Sequence, residues 1–122
     1  MYQNPSRRTL LGDKDDLYES EIIKILVVEP DKKPYVSEIS GDLKSMQNIV
    51  GGYIETVSVS DTAVLVCNEE GKINGLPPNC WFGNDIIMGT FFIIGDDAPE
   101  FCSISEPDIY KFTQMFLQRS FL

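Results

Sequence analysis

Apolar positions along the chain follow two periods, and the switches between them mark the elements. Residues 22–28, Ile-Ile-Lys-Ile-Leu-Val-Val, are rich in β-branched side chains and stop before Pro30, which predicts a strand with a largely buried centre. Pro30 and Pro34 fence off a turn, and Tyr35, Val36 and Ile39 predict a short second strand. The Asp31-Lys32-Lys33 connection is too short for a crossover, so the two should pair as an antiparallel hairpin. Over residues 40–50 the period changes. Leu43, Met46, Ile49 and Val50 recur at helical spacing behind Ser40 or Asp42 as N-cap, and Gly51-Gly52 supplies a left-handed stop.

Strand-like patterning returns over 53–59 and 63–67, joined at Ser60-Asp61, and Asn68-Glu69-Glu70-Gly71 turns the chain into Lys72-Ile73. A meander is the simplest arrangement of these runs. Leu76-Pro77-Pro78-Asn79 lacks two backbone donors and should leave the sheet as a loop carrying Cys80, Trp81 and Phe82. Residues 86–94 are the most apolar run and predict one central strand, with Gly89 as a bulge or a close backbone approach. After the Gly95-Asp96-Asp97 turn, a short strand over 101–104 leads to Ser105-Glu106-Pro107-Asp108, a capping-box-like helix start. Ile109, Phe112, Met115, Phe116 and Leu117 then form one face of a helix packed on a sheet. The order predicts an α+β class: a mainly antiparallel sheet of about five to six strands with two helices packed on it.

Composition narrows what such a fold can do. A chain of 122 residues with 43% apolar content supports one core, so residues 21–122 are expected to form a single domain. Residues 1–20 have too little apolar periodicity to bury anything and read as a flexible arm. The formal charge of −9 disfavours direct contact with nucleic acid or anionic lipid. Arg7, Arg8 and Lys14 are followed by no apolar targeting core, and no run is long enough to span a bilayer, which points to the cytoplasm. Three widely spaced cysteines fit a reducing compartment and lack the close pairs of a zinc site. The absence of histidine removes the usual general base and metal imidazole, so no cofactor, no metal and no catalytic residue is expected.

Three segments carry candidate chemistry. In Asn68-Glu69-Glu70-Gly71-Lys72, paired carboxylates beside a lysine suggest cation binding or acid-base work, against a plain reading as a solubilising turn. It is not a phosphate loop, because the upstream glycine and the following Ser or Thr are missing. The segment from Asn74 through Asn79 to Trp81 and Phe82 presents amides and aromatics as a pocket lining would, against a reading in which Trp81 caps the core. Cys80, without a neighbouring base, is a poor nucleophile. Asp85, Asp96, Asp97 and Glu100 lie in a stretch from Ile73 to Tyr110 free of Lys and Arg, and suggest an acidic face.

Four groups of residues carry a family resemblance: Ile25-Leu26-Val27-Val28-Glu29-Pro30; Val50-Gly51-Gly52-Tyr53-Ile54-Glu55; Asn68-Glu69-Glu70-Gly71-Lys72 with Gly75-Leu76-Pro77 and Asn79; and Gly89-Thr90-Phe91-Phe92-Ile93-Ile94-Gly95. From Ile22 onward the chain resembles the domain-of-unknown-function family numbered 3846, found in bacterial phages, plasmids and conjugative elements. Cys80-Trp81 departs from it where a more polar residue such as Arg follows the Asn. The resemblance implies a setting and no reaction. The resulting expectation is a non-enzymatic accessory protein of a mobile element that binds a host protein or small ligand through the 68–82 loop. Asn68, Glu69, Glu70, Asn74, Asn79 and Trp81 are the candidate contacts, with Asn79 foremost. The alternatives are an acidic, nucleic-acid-mimicking inhibitor of a host defence protein and a small enzyme using Glu69, Glu70 or Cys80. Short edge strands and Ser120-Phe121-Leu122 would suit a homodimer.

Overall fold

In the computed structural model, residues 21–119 are described; the arm over 1–20 and Ser120-Phe121-Leu122 lie outside them. The β-branched first run forms β1 (Ile22–Val28) and pairs antiparallel with β2 (Tyr35–Ser40) across the short Pro-bounded turn. Helix α1 (Leu43–Val50) starts at Asp42, whose carboxylate accepts the Ser45 N–H at 2.7 Å, a cap worth about 1 kcal/mol. It stops at Gly51, which adopts φ 83°. Strands β3 (Ile54–Ser58) and β4 (Ala63–Asn68) form the next hairpin. β5 (Pro78–Phe82) and β6 (Asp85–Met88) pair only with each other, as a separate two-stranded sheet. β7 (Phe91–Asp97), β8 (Glu100–Cys102) and α2 (Glu106–Leu117) complete the described chain.

The main sheet has the order β2-β1-β7-β4-β3, with β8 paired to β7, and every pairing is antiparallel. This is the expected α+β class. Because strand side chains alternate between faces, the sheet has two buried sides. On one, Ile23, Ile25, Val27, Val64, Val66, Phe92 and Ile94 pack under Met46 and Val50 of α1. On the other, Leu26, Val28, Leu65, Phe91 and Ile93 pack against Phe112 and Phe116 of α2 and Cys80 of the small hairpin. Phe91 and Phe116 meet edge to face at 5.1 Å between centroids. Arg119 clamps the end of α2 to the first turn, its guanidinium donating to the carbonyls of Glu29, Lys32 and Phe116.

Three sequence expectations are corrected. The sheet is not a simple meander, since β7 enters between β1 and β4 and is the true centre. Residues 86–94 are not one strand: the run breaks at Gly89, φ 82°, and its halves belong to different sheets. The segment after Leu76 does leave the main sheet, yet residues 78–82 form strand β5, with Pro78 at its first position and an irregularity between Pro78 and Cys80. Proline is tolerated at such a first position. A smaller departure concerns the start of α2. Ser105 accepts the Asp108 N–H as expected of a cap, but the Asp108 carboxylate accepts from the Thr62 hydroxyl at 2.7 Å instead of reaching back.

Candidate functional site

Helix α2 lies over β1 and Phe91 of β7, which leaves the same face of β3 and β4 to the β5–β6 hairpin. Between the hairpin and these outer strands lies a groove of about 440 Å³. Its floor is Val57 of β3 with Leu65 and Cys67 of β4. Phe82, Ile86, Ile87 and Met88 form the hairpin wall, and the turn from Asn68 to Ile73 closes one end. That volume lies within the few hundred to about 1,000 Å³ of ordinary ligand pockets. A second depression, bounded by Gln47, Asn48, Gly51, Gly52, Tyr53 and Glu70, shares Glu70 with the groove.

The rim of the groove is acidic. Glu55, Glu69, Glu70 and Asp85 border it, with Lys72 as the one cation in its lining. Lys72 is already engaged: its ammonium donates to Asp85 at 2.5 Å, joining the 68–73 turn to the hairpin. That bond, helped by the Ile86 N–H, holds the Asp85 carboxyl below its usual range. No salt bridge among the described residues involves Glu55, Glu69 or Glu70. Cys67 in the floor feels this field. Burial chiefly, with the charges of Glu55 and Asp85 added, pushes its thiol up to about 11. Burial also raises the Cys80 thiol, against an opposing pull from Arg119. Both thiols are therefore protonated at neutral pH, the unreactive form.

The asparagines occupy a different place from the carboxylates. Asn79 is 1% exposed, and its amide donates to Val28 O at 2.9 Å and to Gly89 O at 2.8 Å, tying β5 to the ends of β1 and β6. Its Oδ1 is buried with no hydrogen-bond partner among the described residues. Asn68 is likewise buried, donating to Val50 O at 3.1 Å and accepting the Glu70 N–H at 2.7 Å. The backbone of Gly52 passes so close that a Cβ there would lie 2.9 Å from the Asn68 amide nitrogen. These two residues fasten the fold from inside. Asn74 sits exposed in the following turn, and Trp81, 53% exposed, is not among the residues that line the groove.

The acidic residues do not form one patch. Asp85 stands at the groove, whereas Asp96, Asp97 and Glu100 belong to the β7–β8 turn. The β4–β7 register, from Ala63 opposite Gly95 to Val66 opposite Phe92, puts that turn at the other end of the sheet from Glu69 and Glu70. Among the described residues no group of three or more His, Cys, Asp or Glu side chains is placed to hold a metal, and no helix is long and apolar enough to cross a membrane. The groove floor and wall, Val57, Leu65, Ile86 and Met88, were not singled out in the sequence. Their only signal was apolar character in strands, which core residues share.

The four groups of signature residues meet at the buried asparagines: Val28 and Gly89 at Asn79, Val50 and Gly52 at Asn68. The model of a family described as a domain of unknown function (DUF3846) matches residues 23–117. The chain belongs to the DUF3846 family. No match is found among curated proteins or among solved structures. Within this DUF3846 chain the matched span runs from β1 to the end of α2, so it covers the groove, both buried asparagines and all four rim carboxylates.

Proposed function

We propose that this DUF3846 protein is a non-enzymatic binding module of a bacterial mobile genetic element, acting in the cytoplasm, and that the groove between β3–β4 and the β5–β6 hairpin holds a host protein or small ligand. The groove itself is the observation that supports this reading: apolar residues from β3, β4 and the hairpin line it together with four carboxylates and Lys72. Glu69 and Glu70 contribute rim charge in this reading. Asn68 and Asn79 contribute by holding the turn and the hairpin in place. The raised thiols favour binding over covalent chemistry.

The test is capture from bacterial lysate with wild type, with Val57→Arg, which fills the groove, and with Tyr110→Arg on α2 as control. Proteins and small molecules retained are identified by mass spectrometry at low and high salt. A species retained by wild type and by Tyr110→Arg, but lost with a folded Val57→Arg, is the expected result. A species whose capture ignores Val57→Arg and collapses with salt would instead favour the acidic-mimic reading, carried by Asp96, Asp97 and Glu100.

A further inference from the structure

We propose that the groove takes an extended basic segment of a partner polypeptide, which adds to the sheet as a strand beside β3. The inference rests on the binding reading above and gives it a partner class. β3 is the terminal strand of the main sheet. The Glu69 N–H donates to Tyr53 O at 2.8 Å, and the Val59 N–H donates to Ala63 O at 3.1 Å. In an antiparallel pair, main-chain groups point alternately toward and away from the partner strand. Positions 53, 55, 57 and 59 therefore face β4, and the N–H and C=O groups of Ile54, Thr56 and Ser58 face outward. Among the described residues these three outward positions have no strand beside them and offer an open ladder, about 17 Å along the five-residue strand.

Side chains select what can occupy that ladder. Glu55 and Val57 point to the groove side of β3. An added strand would place alternate residues on that same side, beside Glu55 and Val57 and beneath the hairpin. A Lys or Arg next to Glu55 and an apolar residue next to Val57 match what they meet, with Glu69 and Glu70 free of salt bridges among the described residues. The net charge of −9 disfavours a second copy of this chain on the edge. A small organic cation would satisfy the rim but leave the outward ladder unused.

A random peptide-display library selected on the full-length protein, followed by affinity and amide-exchange measurements on the winners, tests this. The expected winners carry Lys or Arg and an apolar residue two positions apart, and their binding slows exchange of the Ile54, Thr56 and Ser58 amides. Thr56→Pro removes one outward donor without breaking the β3–β4 ladder and should weaken binding by at least about tenfold; Glu55→Lys should do the same. Selection of no peptide, winners without basic residues, or equal binding to Thr56→Pro would each overturn the inference. In the lysate experiment, a ligand lost with Val57→Arg but kept by Thr56→Pro removes strand addition and leaves the groove reading standing. A ligand indifferent to both removes both.

Discussion

Asn79 offers the clearest residue-scale account of a sequence feature that resembled a binding contact. Its amide donates to both the Val28 and the Gly89 carbonyls, and it does so fully buried. Asn79→Ala would remove two buried hydrogen bonds, a cost of about 1–3 kcal/mol that urea denaturation would read directly. An exposed contact residue would give a change near zero. The sequence singles out this asparagine as the foremost candidate contact, but a buried amide and a ligand-binding amide look identical in one dimension. Cys67 carries the second residue-scale prediction. Its folded pKa of about 11 lies above the ordinary 9.0, so the native state keeps a proton that the unfolded chain releases. The stabilisation is complete below pH 9 and is lost as pH rises toward 11. Thermal melts over that window should fall more steeply for wild type than for Cys67→Ala, and the two slopes should agree near neutrality.

At the scale of elements, both helices, the first hairpin and the β3–β4 pair were legible because local signals agreed with tertiary need: apolar period, Asp42 and Ser105 as caps, Gly51 as stop. The break inside residues 86–94 was not legible. A continuous apolar run reads as one strand whether or not it changes sheets, and only the geometry of Gly89 reveals the corner. That corner combines φ 82° with a Cβ position 2.7 Å from a Leu76 methyl carbon. Gly89→Ala should therefore destabilise by about 2 kcal/mol or more in chemical denaturation, and should loosen the β5–β6 hairpin first in amide exchange. At the second helix, removing the Ser105 cap with Ser105→Ala should cost about 1 kcal/mol.

At the scale of the whole molecule, the class was readable and the strand order was not. β7 pairs with β1 and β4, which precede it by many residues, and no local pattern records such pairings. The groove follows from that order. With β7 at the centre and α2 over the β1 side, β3 and β4 are left for a hairpin too short to cover them fully. Rim charge was partly visible as Glu69-Glu70, but Glu55 joins it only through the β3–β4 register. Arg119 likewise gains its role only when the end of α2 meets the first turn.

The most direct measurement places a photo-crosslinking amino acid at Val57 in the groove floor and, separately, at Tyr110 on α2, in protein expressed in bacterial cells. A discrete adduct at Val57 that is absent at Tyr110 is the expected result. Adducts at Tyr110 alone, or the same set at both positions, would contradict a binding role for the groove.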